Sequence, residues 1–146
     1  MTLPFEIVVA SADLENRRRL SEILSNQGLD PVCVSSVREC YEVLAQRPVG
    51  LIFSDPHLAD GDYQDFLRSR GSNSQEPRVV VTSLSADWDE FREAMRLGAF
   101  DVIRVPCRPT DVEWMVIQAN RDEQQRPATR LLQNSGFAAA KASSAS

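Results

Sequence analysis

The chain has 146 residues with 42% hydrophobic and 25% charged content, enough for one domain with a single sizeable core. Its formal net charge of -5 excludes nucleic acid and anionic membrane as main partners, since both repel an acidic surface. Cys33, Cys40 and Cys107 leave an odd thiol and no pair at zinc-site spacing, so reduced thiols in a cytoplasmic protein are expected.

The opening segment, MTLPFEIVVASA, lacks a basic leading region and carries Glu6 inside its apolar run, so no signal peptide is expected. No apolar stretch approaches the ~20 residues of a membrane span. Phe5 to Ala10 forms a buried-strand pattern. Leu14 to Gln27 has Leu14, Leu20, Ile23 and Leu24 near helical spacing, with Gly28 as a stop. Pro31 to Ser35 predicts a short strand. Ser36-Val37-Arg38-Glu39 has the capping-box pattern and opens a helix through Ala45, with Val37, Tyr41 and Leu44 on one side.

Val49 to Ser54 is a third apolar strand, Leu58 to Gly61 a loop, and Tyr63 to Arg70 a short helix. A polar loop over 71–76 leads to a fourth strand, Arg78 to Thr82. Ala86 to Leu97 predicts a helix closed by Gly98, and Phe100 to Val105 a fifth strand. The last helix runs from Pro109 to about Gln125, with Val112, Met115, Val116 and Ala119 as its apolar stripe. Residues 1–125 are thus expected as one domain. Residues 126–146, rich in Ala and Ser, are expected as a flexible tail or linker in which Leu131, Leu132 and Phe137 are the residues able to dock.

Five strands alternating with five helices predict an α/β fold with a doubly wound parallel sheet. In such sheets ligands bind beyond the carboxyl ends of the strands. That directs attention to Ala10-Ser11-Ala12-Asp13, Ser54-Asp55-Pro56-His57, Thr82-Ser83-Leu84 and Val105-Pro106-Cys107.

Asp55 directly follows a buried strand, in a run ending Leu58-Ala59-Asp60-Gly61. Thr82 ends the fourth strand, Gly98-Ala99-Phe100-Asp101 precedes the fifth, and Pro106 follows it. In these residues, and from about Phe5 to Gln125, the chain resembles the receiver domain of bacterial two-component response regulators. The resemblance implies a flavodoxin-like strand order of 2-1-3-4-5, Asp55 as the phosphoacceptor position and Thr82 as the phosphoryl-contact and switch position. It also implies Mg²⁺ as cofactor.

The departures bear on function. The family's acidic pair after the first strand is Ala10 and Ser11 here. Its phosphoryl-contacting Lys is Val105, its aromatic switch residue is Val102, and Ala59 replaces a customary Pro. Phosphoryl transfer to a carboxylate brings anion to anion, and metal and cationic groups make it possible. Mg²⁺ prefers octahedral oxygen coordination, whereas Asp55 and the His57 carbonyl are the matching ligands left. Losing one preorganised electrostatic contact costs roughly 10²–10³ in rate, and here several are gone, though such losses do not simply multiply. Asp55 is therefore expected to be an inefficient phosphoacceptor, with Mg²⁺ binding weak or absent.

Other residues receive plainer readings. Asp13 is expected to cap the first helix. Arg104 is expected to point away from Val105 by strand alternation. His57, the one histidine, is expected in a solvated loop; Asp55-Pro56-His57 lacks the Gly at position 60 that a cobalamin-type Asp-x-His-x-x-Gly motif needs. Ser11-Ala12-Asp13-Leu14 is too acidic and Gly-poor for a flavin phosphate loop, and no P-loop occurs. Arg17-Arg18-Arg19 is expected as a solvated face, or as a contact for an acidic partner. Trp88 is either packed or an exposed binding hot spot.

The expected function is an atypical receiver that is not an enzyme and works through protein partners: a histidine kinase, a phosphotransfer protein or an output domain. A homodimer through the fourth helix, fifth strand and fifth helix is a further possibility. The alternatives are a working phosphorelay receiver phosphorylated on Asp55, and the N-terminal receiver of a larger regulator.

Overall fold

A computed structural model describes residues 2–68 and 76–135. Five strands form one parallel sheet: β1 (Glu6–Ala10), β2 (Val32–Val34), β3 (Val49–Ser54), β6 (Arg78–Ser83) and β7 (Asp101–Arg104), in the order β2-β1-β3-β6-β7. A two-stranded hairpin, β4 (His57–Leu58) and β5 (Gly61–Asp62), lies between β3 and β6. Counting the strands of the main sheet alone, the order is the expected 2-1-3-4-5. The hairpin replaces the plain loop expected from Leu58 to Gly61.

The apolar runs divide by alternation between two faces. Ile7, Val9, Leu51, Phe53, Val80 and Ile103 pack against helices α1 (Leu14–Asn26) and α5 (Pro109–Ser135). Val8, Ala10, Ile52, Val79 and Val81 pack against α2 (Val37–Gln46), α3 (Tyr63–Arg68) and α4 (Trp88–Leu97). The expected α5 stripe of Val112, Met115, Val116 and Ala119 is buried throughout.

Several sequence expectations are corrected. Leu14 and Tyr41 are exposed, because the buried stripes run through Leu20, Ile23 and Leu24 on α1 and through Val37, Cys40 and Leu44 on α2. Helix α4 starts at Trp88 rather than Ala86: Ala86 sits at φ 43, and Asp87 caps the helix by accepting from the Glu90 N–H. The left-handed φ of 108 at Gly98 closes that helix, as a residue without a Cβ allows. Helix α5 continues past Gln125 to Ser135, through a segment rich in the helix formers Ala, Arg, Leu and Gln. The last two residues of the helix expected over Tyr63 to Arg70, residues 71–75 of the loop expected over 71–76, and residues 136–146 of the expected tail, with Phe137, lie outside the described residues.

Two polar devices set the frame around the strand ends. Asp60, on the β4–β5 turn, accepts from the N–H groups of Val37 (2.8 Å) and Arg38 (3.0 Å) and so caps α2 from outside it. Ser36 also caps α2 through the Glu39 N–H, while Glu39 reaches back to Ser35 rather than to Ser36, one residue beyond the expected box. A Cβ at Gly61 would sit 2.3 Å from Asp65 Oδ2 and 2.9 Å from Val37 Cγ2, so this turn approaches α2 too closely for a side chain. At the opposite edge of the sheet, the buried Arg78 binds Asp122 (2.7 Å) and Glu123 (2.9 Å) of α5 and lies over the Phe5 ring.

Two predictions follow from these contacts. Arg78→Leu removes the close partner of the buried Glu123 carboxylate, leaving it the more distant Arg126 at 4.0 Å, and is expected to destabilise the fold by ~3 kcal/mol in urea unfolding; adding Glu123→Leu should recover part of the loss. The two N–H donors hold the Asp60 carboxyl below its ordinary 3.8. A depressed carboxyl stabilises above its unfolded pKa, and that contribution is lost as pH falls through the folded value. Asp60→Ala is therefore expected to melt earlier than the unmodified chain at neutral pH, with the gap closing as pH drops below 3.8.

Candidate functional site at the carboxyl edge of the sheet

β1 and β3 run side by side with Ala10 opposite Ser54, so the turns that follow them meet. The Asp55 N–H donates to the Ala10 carbonyl at 2.9 Å, and the Ser11 N–H to the Val34 carbonyl at 3.1 Å. These bonds extend the ladder one residue beyond the strands and deliver the Asp55 side chain to the β1–α1 turn.

There the carboxylate meets neutral donors. Asp55 Oδ2 accepts from Ser11 Oγ (3.0 Å) and from the Ala12 N–H (2.9 Å), and Oδ1 accepts from the Asn16 amide (3.1 Å). Asn16 and the Asp13 N–H also donate to Ser11 Oγ, at 3.3 and 3.1 Å. Asp13 caps α1 by accepting from the Glu15 N–H, the role expected of it, and this sets the helix phase that brings Asn16 to Asp55. Sequence reasoning missed Asn16. The clue available was an amide side chain in the first turn of the helix after strand one, facing a carboxylate from strand three.

Not every residue singled out in the sequence reaches this point. Ser11 does, and is buried. Ala10 does not: it is sealed in the core on the face of the sheet that α2 covers. Thr82 lines the same cleft as Asp55, is 2% exposed and donates its hydroxyl to the Ser54 carbonyl at 3.3 Å. Val105 and Pro106 line the same cleft as Asp55, whereas Val102 lines a separate hollow with Trp88 and Phe91. His57 is exposed on β4 at the cleft, and Arg104 is exposed on β7. Two of the three basic residues on α1 are tied to the frame: Arg17 to the Ser11 carbonyl (2.6 Å) and Arg19 to the Cys107 carbonyl (2.8 Å). Burial pushes the Cys40 thiol up to about 12 and the Cys107 thiol to about 11, so neither forms a thiolate near neutrality.

The cleft measures about 720 Å³. Its acidic groups are Asp13, Glu15, Glu22, Asp55 and Glu90. Glu90 is taken by the hydroxyls of Ser83 (2.5 Å) and Ser85 (2.9 Å), which pin the β6–α4 loop. Mg²⁺, which the family resemblance implies, does not fit this donor set. Among the described residues no three carboxylate, histidine or cysteine side chains converge. The O–H and N–H hydrogens aimed at Asp55 occupy lone pairs a metal would need.

The fold is the one seen in receiver domains of response regulators. The solved structures it resembles include the beryllofluoride-activated NtrC4 receiver domain, a dimer (TM-score 0.71, 21% identity, 80% of this chain and 97% of that one). A CheY-like receiver domain from Methanospirillum hungatei superposes with TM-score 0.70 at 15% identity, over 86% of this chain and 99% of that one. The receiver domain of NtrX from Brucella abortus gives 0.69 at 22% identity, over 80% and 98%. In sequence, the chain is 30% identical over 90 residues to the response regulator protein PilR of Pseudomonas aeruginosa. That match takes in 61% of this chain and spans about a fifth (20%) of PilR. No family model matches the chain.

Asp55→Ala tests the donor arrangement. It removes the acceptor for three donors, so it is expected to destabilise the domain by about 2 kcal/mol in urea unfolding with EDTA present. A pocket whose acids repel one another would give the opposite sign.

Proposed function

We propose that this chain is a response-regulator receiver domain of two-component signalling that acts mainly by binding other proteins, with weak or no phosphorylation at Asp55. The observation that carries this reading is the state of Asp55: three neutral donors hold it, with no acid at positions 10 and 11, the acid of the β1–α1 turn, Asp13, used as the cap of α1, and no lysine at position 105. A phosphoryl anion approaching a carboxylate needs cationic groups aimed at it, and the cleft's two guanidiniums, Arg18 and Arg19, are engaged by Glu15 and the Cys107 carbonyl.

The partner classes are a histidine kinase, a phosphotransfer protein or an output domain, the last in the same chain or a separate one. The surface best suited to them spans α4, β7 and α5. Trp88 is 66% exposed and stacks on Phe91 at 5.6 Å, and Trp114 on α5 is 52% exposed. Exposed tryptophans are frequent interface anchors, and this face also serves a possible homodimer. The cytoplasm is the compartment this reading implies, with 126–146 as a linker or tail. Among the described residues no helix is long and apolar enough to cross a membrane.

The test is incubation with Mg²⁺ and a small phosphodonor, read by intact mass. No more than a trace of adduct is expected; a stoichiometric adduct abolished by Asp55→Asn would establish a working phosphorelay receiver instead. Ser11→Asp with Val105→Lys, which returns an acid and a cation to the cleft while leaving the core position Ala10 alone, is expected to raise the adduct yield at least tenfold, a change of about 1.4 kcal/mol in barrier.

A further inference from the structure

The charges at the cleft do not balance locally. Five carboxylates line it, against the guanidinium groups of Arg18 and Arg19. Arg19 is committed to the Cys107 carbonyl, and Arg18 sits 3.7 Å from Glu15. Asp55 itself receives hydrogen bonds from uncharged groups, and no cation among the described residues pairs with it. Beside these charged groups and the polar His57, Thr82, Ser83 and Ser85, the cleft has an apolar strip: Pro56, Leu84, Val105 and Pro106 all line it, and Leu84 is left 82% exposed.

An anion beside an apolar strip selects for one kind of cation. Mg²⁺ sheds water reluctantly and needs several oxygen ligands, which one hydrogen-bonded carboxylate does not supply. An alkylammonium or guanidinium needs a single carboxylate, and its methylene stem gains by covering apolar surface. The acidic residues at the mouth, Asp13, Glu15 and Glu22, add a field that draws positive charge inward. The volume of about 720 Å³ lies well within the range of pockets that enclose organic groups. We propose that this cleft receives a lysine or arginine side chain presented by a protein partner, its charge against Asp55 and its stem along Pro56, Val105 and Pro106. A protein source is favoured over a free amine because Leu84, on the cleft wall, is left 82% exposed, an apolar side chain that a ligand with a polypeptide attached covers and a free amine does not. The proposal rests on the reading that this domain works by binding rather than by phosphorylation.

The experiment is a titration of the full chain, in EDTA, with arginine blocked as its N-acetyl N-methylamide, followed by the amide signals of Ala12 and the Asn16 side chain. Parallel titrations use blocked glutamate, putrescine and, without EDTA, MgCl₂ at matched ionic strength. Saturable shifts with blocked arginine, weakened about tenfold or more in Asp55→Asn, are expected, since one charge-assisted contact is lost. Val105→Lys supplies an ammonium from within the chain and should abolish the arginine response while the domain stays folded. Shifts that fail to saturate, that persist in both variants, or that are matched by blocked glutamate would overturn the proposal. Tighter binding of putrescine than of blocked arginine would overturn its protein-partner form, and tighter binding of Mg²⁺ would overturn its choice of cation. A phosphodonor adduct would instead remove the underlying reading, so the two failures are told apart.

Discussion

Burying a parallel sheet on both faces leaves its polar chemistry only the two edges, and the rest of this molecule follows from that constraint. Strand interiors are filled with Val, Ile, Leu and Phe, packed against α1 and α5 on one side and α2, α3 and α4 on the other. Polar side chains therefore gather where strands end. The carboxyl edge holds Ser11, Asp55, Thr82 and Ser83, and the opposite edge holds Arg78 with Asp122 and Glu123.

The two edges solve the burial of charge differently. At the amino edge a guanidinium meets two carboxylates directly and is capped by the Phe5 ring, so charge is matched by charge. At the carboxyl edge a single anion is held by a hydroxyl, a backbone N–H and an amide. Hydrogen bonds of this kind satisfy the lone pairs without cancelling the charge. The first edge is a structural brace; the second keeps a net anion facing an open cleft.

The surrounding loops are pinned rather than loose. Asp60 ties the β4–β5 turn to α2, Glu90 ties the β6–α4 loop through two serines, and Arg17 and Arg19 tie α1 to the turns after β1 and β7. Thr82, whose position in the resembling family belongs to the switch, spends its hydroxyl on the Ser54 carbonyl. These contacts hold the loops that frame the cleft to the strands and helices beneath them.

Much of this was legible in the residues alone. The apolar runs were continuous enough to specify buried parallel strands, because strands covered on both faces carry no polar alternation. Asp13 announced itself as a cap, Gly98 as a helix stop, and Asp55 as a carboxylate at a strand end, since each depends on local backbone geometry. The absence of acids at Ala10 and Ser11 and of lysine at Val105 could also be read directly. Tertiary structure alone decided what filled those gaps. Asn16 reaches Asp55 from 39 positions away, Asp60 caps a helix 23 positions upstream, and Arg78 finds its acids 44 and 45 positions downstream. Contacts at such separations leave no periodicity in a single sequence, because they are set by how β1, β3 and α5 lie against one another after the core has closed.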